Sequence, residues 1–145
     1  MKEMKKFFTL ITVTLVSLNT YAQDQVPIEF LVDAIIHVES RGDSTAIGDG
    51  GRAVGVLQIH PIMVREVNRI LGKNGSDVRY TYDDRYSVEK SKEMFYVWKE
   101  YYHPNSSYEK IARCWNGGTN GHMFYCTHRY WRKVSDRLET LAMVD

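Results

Sequence analysis

Residues 27–42 read PIEFLVDAIIHVESRG and carry the clearest helical pattern in the chain. Pro27 suits the first turn of a helix, where its missing N–H leaves no hydrogen bond unmade. Apolar side chains recur on one face of this helix, at Ile28, Leu31, Val32 and Ile35. Glu39 follows four residues after the last of them, so the pattern places its carboxyl group on the core-facing side, and Gly42 marks the end of the helix.

A carboxyl group in that position suits proton donation. Burial disfavours the charged form, and the negative end of the helix dipole disfavours it further, so both effects are expected to raise the pKa of Glu39. A carboxylic acid that keeps its proton near neutral pH can protonate the leaving oxygen of a glycosidic bond. The periodicity alone leaves a second interpretation open, in which Glu39 points to solvent from a frayed helix end.

The rest of the chain predicts four more helices and a Gly-rich segment. Residues 43–58 contain four glycines and are expected to form a loop or a short β excursion. The expected first or capping residues of the later helices are Pro61, Ser87, Ser106 or Ser107, and Thr127. Their apolar faces are expected to include Ile62, Val64, Val67, Ile70 and Leu71 in the second helix and Ser91, Met94, Phe95, Trp98 and Tyr102 in the third. The predicted fold is a compact, mainly α domain with a short Gly-rich loop or β excursion after the first helix.

The first 22 residues have the layout of a secretory signal peptide. Three lysines come first, a mostly apolar run spans residues 7–18, and Thr20-Tyr21-Ala22 offers a cleavage site. The apolar run is shorter than the roughly 20 residues of a membrane span, although an uncleaved anchor is the alternative. Residues 23–145 are then expected to form a single domain.

The charge balance restricts the partners. The chain has a net charge of +1, and removing residues 1–22, with three Lys and one Glu, would leave −1. Phosphate binding needs a clear positive excess, so nucleic acid is not expected as a partner, whereas a neutral glycan is compatible.

Neither a metal nor a cofactor is expected. CxxC and HExxH spacings do not occur in the sequence. The two cysteines, Cys114 and Cys126, are either bridged in an oxidising compartment or form a free pair, and the sequence leaves both open.

Four short blocks of the sequence resemble the motifs of a known enzyme family. They are Glu39-Ser40, then Gly55-Val56-Leu57-Gln58-Ile59, then Ala112-Arg113-Cys114-Trp115-Asn116-Gly117-Gly118, and last Thr127 with Tyr130 and Val134. In this order they resemble the soluble lytic transglycosylases and their relative, goose-type lysozyme, whose motifs read Glu-Ser, Gly-Leu-Met-Gln-Ile, Ala-Tyr-Asn-Ala-Gly and Thr-x-x-Tyr. The resemblance spans about residues 28–134. It implies a lysozyme-like α+β domain that cleaves the β-1,4 bond between N-acetylmuramic acid and N-acetylglucosamine in peptidoglycan.

The resemblance also implies roles for individual residues. Glu39 matches the general acid, which in this family then acts as base. Gln58 matches the cleft glutamine that helps to hold the glycan, and Asn116 matches the asparagine that lines the cleft. Tyr130 matches an aromatic residue near the catalytic carboxyl. Trp115 stands where the family usually has Tyr and keeps an aromatic ring at this position.

The role of Asp49 distinguishes two possible mechanisms. In goose-type lysozymes an aspartate after Gly precedes the cleft glutamine by nine residues, as Gly48-Asp49 precedes Gln58 here. Such a carboxylate can orient a water for hydrolysis, whereas many lytic transglycosylases lack it and give a 1,6-anhydro product. The alternative is a loop aspartate that bonds its own backbone. We expect the lytic reaction first and a muramidase that uses Asp49 second.

The resemblance implies a peptidoglycan glycan strand as the substrate partner. The signal-peptide layout predicts export to the periplasm or the extracellular space without stable membrane insertion after signal cleavage, and a monomer is expected. A partner in the envelope machinery stays open. Two other classes of protein are the alternatives: a catalytically inactive peptidoglycan-binding module and a disulfide-stapled structural protein.

Overall fold

A computed structural model of the chain describes residues 26–144, so the predicted signal peptide lies outside the described residues. The described part is mainly helical. Its α-helices are α1 (Ile28–Ser40), α2 (Pro61–Lys73), α3 (Val88–Tyr102), α4 (Tyr108–Gly117) and α5 (Thr127–Ala142). Short 3-10 turns occupy Asp49–Gly51, Asp83–Tyr86 and Gly121–Met123. The predicted mainly α architecture is confirmed.

The predicted β excursion is a small hairpin directly after α1. Strands β1 (Ile47–Gly48) and β2 (Ala53–Val54) pair antiparallel, with Ile47 opposite Val54 and Gly48 opposite Ala53. A further bridge joins Val54 to Ile59. The hairpin therefore folds the Gly-rich segment back toward the end of α1.

Helix α1 lies at the centre of the core. Leu31, Val32, Ala34 and Ile35 are fully buried, and the helix packs chiefly against α5. The helix ends one residue earlier than Gly42 suggested. Arg41 already takes the left-handed conformation, with φ of +57°, and its backbone N–H donates to the carbonyl of His37 over 3.1 Å.

The starts of the later helices follow the sequence signals with one exception. Pro61 is the first residue of α2, and the hydroxyl groups of Ser87 and Ser107 accept from backbone N–H groups at the starts of α3 and α4. Thr127 does not cap α5. It is the first residue of that helix, is buried, and its hydroxyl group contacts the carbonyls of Gly121 and Phe124.

The apolar face of α3 ends before Tyr102. Ser91, Met94, Phe95 and Trp98 are buried as predicted, whereas Tyr102 is 41% exposed. Its hydroxyl group reaches across to α2 and bonds Glu66 and Arg69, which keeps the ring at the surface.

No helix within residues 26–144 has the length and apolar content of a membrane span.

Candidate active site

One cleft brings together most of the residues that the sequence selected. It encloses about 480 Å³ between the end of α1, the β1–β2 hairpin, the start of α2 and the end of α4. Its lining includes Glu39, Asp49, Gln58, Trp115 and Asn116, together with Ile59, His60, Ile62 and Met63. Tyr130 contacts Glu39 from α5. The residues come from four separate parts of the chain, and the fold assembles them around the end of α1.

Glu39 is a half-buried carboxyl group at the cleft wall. Burial raises the pKa of Glu39 above its ordinary value of 4.5, because the ionised form loses solvation there. The hydrogen bond from Tyr130 favours the ionised form and lowers the pKa, but it is the smaller effect. The side chain points neither to bulk solvent nor into the dry core, so the solvent-facing alternative is wrong.

Tyr130 supports this carboxyl group. Its hydroxyl group donates to Oε1 of Glu39 over 2.8 Å, and the tyrosine itself is only 9% exposed. Burial, and then the neighbouring carboxylate, raise the pKa of Tyr130 well above 10, so the phenol remains a donor at every pH of interest. Within residues 26–144, Oε2 of Glu39 makes no hydrogen bond. One carboxyl oxygen is thus anchored, and the other is free to exchange a proton with a ligand.

Gln58 lines the cleft, and hydrogen bonds to the protein restrain its side chain. Its side-chain Nε2 donates to the carbonyls of Gly55 over 2.9 Å and of Ala46 over 3.2 Å, which ties the hairpin together. Oε1 lies against Gly48, where an added Cβ would overlap it. The amide nitrogen is therefore committed to the protein, and Oε1 is the atom of Gln58 that can accept a bond from a ligand hydroxyl group.

Asp49 lies in the turn between β1 and β2, lines the cleft and is half exposed. Its Oδ1 is 2.9 Å from Nη2 of Arg52, and its Oδ2 is 3.3 Å from Nε2 of His60. Asp49 also has a φ of +47°, in the left-handed region that most residues avoid. Both carboxylate oxygens thus have partners in the hairpin and at the start of α2.

Trp115 and Asn116 form the α4 wall. The ring of Trp115 packs on the rings of Phe95 and Trp98, with centroid separations of 4.9 and 5.0 Å. This packing fixes the indole while one part of it stays in the cleft lining. Asn116 is exposed and extends the same wall.

Two other residues line the cleft that were not among the site residues expected from the sequence. Ile62 was expected on the apolar face of α2, but it is 65% exposed and lines the cleft, because it follows Pro61 in the first turn. His60 directly follows the Gln58-Ile59 block, and that position is its signal. Its contact with Asp49 depends on the fold of the hairpin.

The cysteines are not bridged. Cys114 is buried and Cys126 is exposed, and both are free thiols in the structure. The Sγ of Cys114 lies 3.3 Å from Nδ1 of His122 and 3.5 Å from the carbonyl of Thr119. Of the two arrangements that the sequence left open, the structure has the free pair.

Comparison of the chain with protein-family models, with curated proteins and with solved structures gave no match. Among residues 26–144, no group of three or more His, Cys, Asp or Glu side chains is arranged to hold a metal ion. The cleft itself and the four sequence blocks are therefore the features that indicate a function.

Proposed function

We propose that this protein cleaves the β-1,4 bond between N-acetylmuramic acid and N-acetylglucosamine in peptidoglycan, with Glu39 as general acid and then general base. The observation that carries the proposal is the state of Glu39. It is a half-buried carboxyl group in a cleft, its pKa is raised by burial, and a buried tyrosine holds one of its oxygens. Glycosidic bond cleavage needs such a proton donor beside the bridging oxygen.

The chemistry follows in two proton transfers. Glu39 gives its proton to the bridging oxygen as the bond from that oxygen to C1 of muramic acid breaks, and positive charge develops at C1. The C6 hydroxyl group of the same sugar then attacks C1 and passes its proton to the Glu39 carboxylate. The product ends in a 1,6-anhydro ring, and the carboxyl group regains its starting form. This route needs one carboxyl group.

Other residues of the cleft have supporting roles in this proposal. Oε1 of Gln58 accepts from a sugar hydroxyl group, and the exposed amide of Asn116 bonds the glycan from the α4 wall. Trp115 offers an aromatic surface that its packing on Phe95 and Trp98 keeps in place. Rigid aromatic surfaces suit the apolar faces of sugar rings, because little side-chain entropy is lost on binding.

The contacts of Asp49 favour the lytic route over hydrolysis. An inverting hydrolase needs a second carboxylate that accepts from a water on the far face of the sugar. In this cleft Oδ1 of Asp49 already accepts from Arg52, and Oδ2 lies 3.3 Å from Nε2 of His60. Hydrolysis is the second candidate, because Asp49 and Glu39 line the same cleft.

Mass spectrometry of muropeptides, after digestion of purified sacculi, tests both candidates. The lytic route gives products that end in 1,6-anhydromuramic acid, and Asp49→Asn lowers the rate modestly while the product stays anhydro. Reducing-end muramic acid from the wild type, lost in Asp49→Asn, would identify a hydrolysing muramidase. A folded wild type that leaves sacculi intact but still binds them would identify the third candidate, an inactive binding module.

The cellular setting follows from the substrate. Peptidoglycan lies outside the cytoplasmic membrane, so the proposal requires an exported protein, and the signal-peptide pattern of residues 1–22 agrees with that. We propose a monomer that acts on glycan strands in the periplasm or outside the cell, alone or beside envelope machinery.

A further inference from the structure

A buried arginine next to the cleft is not explained by the reaction. Arg85 is only 8% exposed, and no ion pair within residues 26–144 includes it. Its guanidinium group instead donates to backbone carbonyls. Nε bonds Tyr82 over 2.7 Å, and Nη1 bonds both Arg52 and Ile59 over 3.1 Å. Burying a charged group without a carboxylate partner is costly, and the charge-assisted bonds to these carbonyls offset that cost while they hold the backbone that carries them.

The two carbonyls that accept from Nη1 lie at the two ends of the segment that carries Gln58. Arg52 comes directly before β2, and Ile59 directly follows Gln58. One nitrogen atom from the 83–86 turn thus connects both ends of residues 52–59. Inside this segment, the backbone and the side chain of Gln58 both bond the carbonyl of Gly55.

The backbone of Arg85 adds a steric contact to the same segment. Its carbonyl oxygen lies so close to Gly55 that an added Cβ would overlap it, and Gly55 has a φ of +78°. The buried hydroxyl group of Ser91, from α3, donates to that carbonyl over 2.9 Å and holds it in place. The carbonyl is therefore fixed from one side by α3 and fills the space beside the glycine on the other.

We propose that Arg85 is a positioning residue that holds Gln58, and with it the hairpin wall of the cleft, in the geometry that binds the glycan. It acts through the carbonyls of Arg52 and Ile59 and touches no substrate. The kinetic part of this proposal rests on the proposed function, whereas the structural part does not.

Hydrogen exchange tests the structural part without any activity. The variant Arg85→Lys keeps the charge but loses the fork that serves several carbonyls at once. The backbone N–H groups of Val54, Gly55, Gln58 and Ile59 are hydrogen-bonded within the hairpin. We expect peptides that cover residues 52–59 to exchange at least about tenfold faster in Arg85→Lys, because the bonds that join Arg52 and Ile59 through one guanidinium nitrogen are lost.

Asn68→Ser is the matched control. Asn68 holds the earlier part of the connector between α2 and α3 (residues 74–87), because its amide bonds the N–H and the carbonyl of Tyr80 over 2.8 Å each, and it does not line the cleft. We expect this variant to loosen the connector near Tyr80 and to leave exchange at residues 52–59 as in the wild type. Equal exchange at residues 52–59 in Arg85→Lys and Asn68→Ser would overturn the proposal.

Kinetics on purified glycan strands test the functional part. In Arg85→Lys we expect KM to rise about tenfold with kcat much less affected, because Gln58 is displaced while Glu39 and Tyr130 are not. Asn68→Ser should keep the wild-type KM. A wild type without activity would refute the proposed function and leave the exchange result to decide the role of Arg85. If Arg85→Lys instead lowered kcat by about tenfold and left KM unchanged, the positioning role would be refuted.

Ser91→Ala provides a milder perturbation if Arg85→Lys does not fold. It removes only the bond to the carbonyl of Arg85. We expect a smaller rise in exchange at residues 52–59 and a smaller rise in KM, both in the same direction. Unchanged exchange and unchanged KM in a folded Ser91→Ala protein would count against the proposal as well.

Discussion

Glu39→Gln is the decisive substitution for the proposed reaction. The amide has nearly the same shape as the carboxyl group, and its oxygen can still accept the bond from Tyr130, so the cleft should keep its form. A positioned general acid contributes about 10²- to 10⁴-fold to the rate, which corresponds to roughly 3–5 kcal/mol of transition-state stabilisation. We expect a loss near the upper end, because the other carboxylate of the cleft, Asp49, is exposed and already accepts from Arg52.

The same substitution has a predicted effect on stability. The folded-state pKa of Glu39 is raised by burial, so its protonated form is the one that the fold favours. The contribution of the group to stability is therefore fully present below its ordinary pKa of 4.5 and is lost as the pH rises through the folded-state pKa. Glu39→Gln should be at least as stable as the wild type at pH 7, and this difference should disappear below pH 4.5.

The assay is the release of soluble muropeptides from purified sacculi, measured together with thermal unfolding of each variant. Glu93→Gln is a matched control, since Glu93 accepts a 2.8 Å bond from Tyr80 in an exposed pair outside the cleft. That variant should retain wild-type activity. Near-wild-type turnover by a folded Glu39→Gln protein would refute the assignment of Glu39 as the acid.

Three further changes have defined outcomes. Tyr130→Phe removes a bond that lowers the pKa of Glu39, so the alkaline limb of the pH–rate profile should shift to higher pH; a shift to lower pH would contradict the role of this bond. Gly48→Ala places a methyl group where Oε1 of Gln58 lies, so KM for glycan strands should rise while the fold is kept, and unchanged KM would argue against a binding role for that oxygen. In thiol titration of the native, non-reduced protein, one cysteine should react at once and Cys114 only on unfolding; no reactive thiol in the unfolded protein would mean that a disulfide forms.

The helical part of the fold was predictable because its signals are local. The apolar spacing from Ile28 to Ile35 gives the buried face of α1, and Pro61, Ser87 and Ser107 mark helix starts through the chemistry of their own side chains. The position of Glu39 at the edge of the core follows from the same spacing. These features need only the period of the helix and no knowledge of its neighbours.

The sequence predictions fail where a contact with a residue in another element determines the position of a side chain. Tyr102 fits the spacing of the α3 core, but two polar side chains of α2 hold its hydroxyl group at the surface. Thr127 has the composition of a cap, but the turn that precedes α5 takes its hydroxyl group. Ile62 has an apolar side chain in the first turn of α2, but it lines the cleft and is exposed instead of packing in the core. No pattern within one helix contains that information.

The hairpin explains why the composition of the site was easier to predict than its geometry. Within residues 26–144, the non-glycine residues with positive φ are Arg41, Asp49 and Gln58, at +57°, +47° and +50°. One follows Glu39 by two residues, and the other two line the cleft. A left-handed conformation costs roughly 1–2 kcal/mol for such residues, and a glycine at each position would avoid that cost.

Side-chain hydrogen bonds offset part of this strain. The amide of Gln58 bonds the carbonyls of Gly55 and Ala46, and Oδ1 of Asp49 accepts from the side chain of Arg52, so contacts within the hairpin hold both strained residues. Strain of this kind persists where a particular side chain is needed in a particular place. Asp49 and Gln58 thus keep polar side chains at the cleft wall at a cost in backbone strain. This pattern favours a binding or catalytic use of the hairpin, independently of any resemblance in sequence.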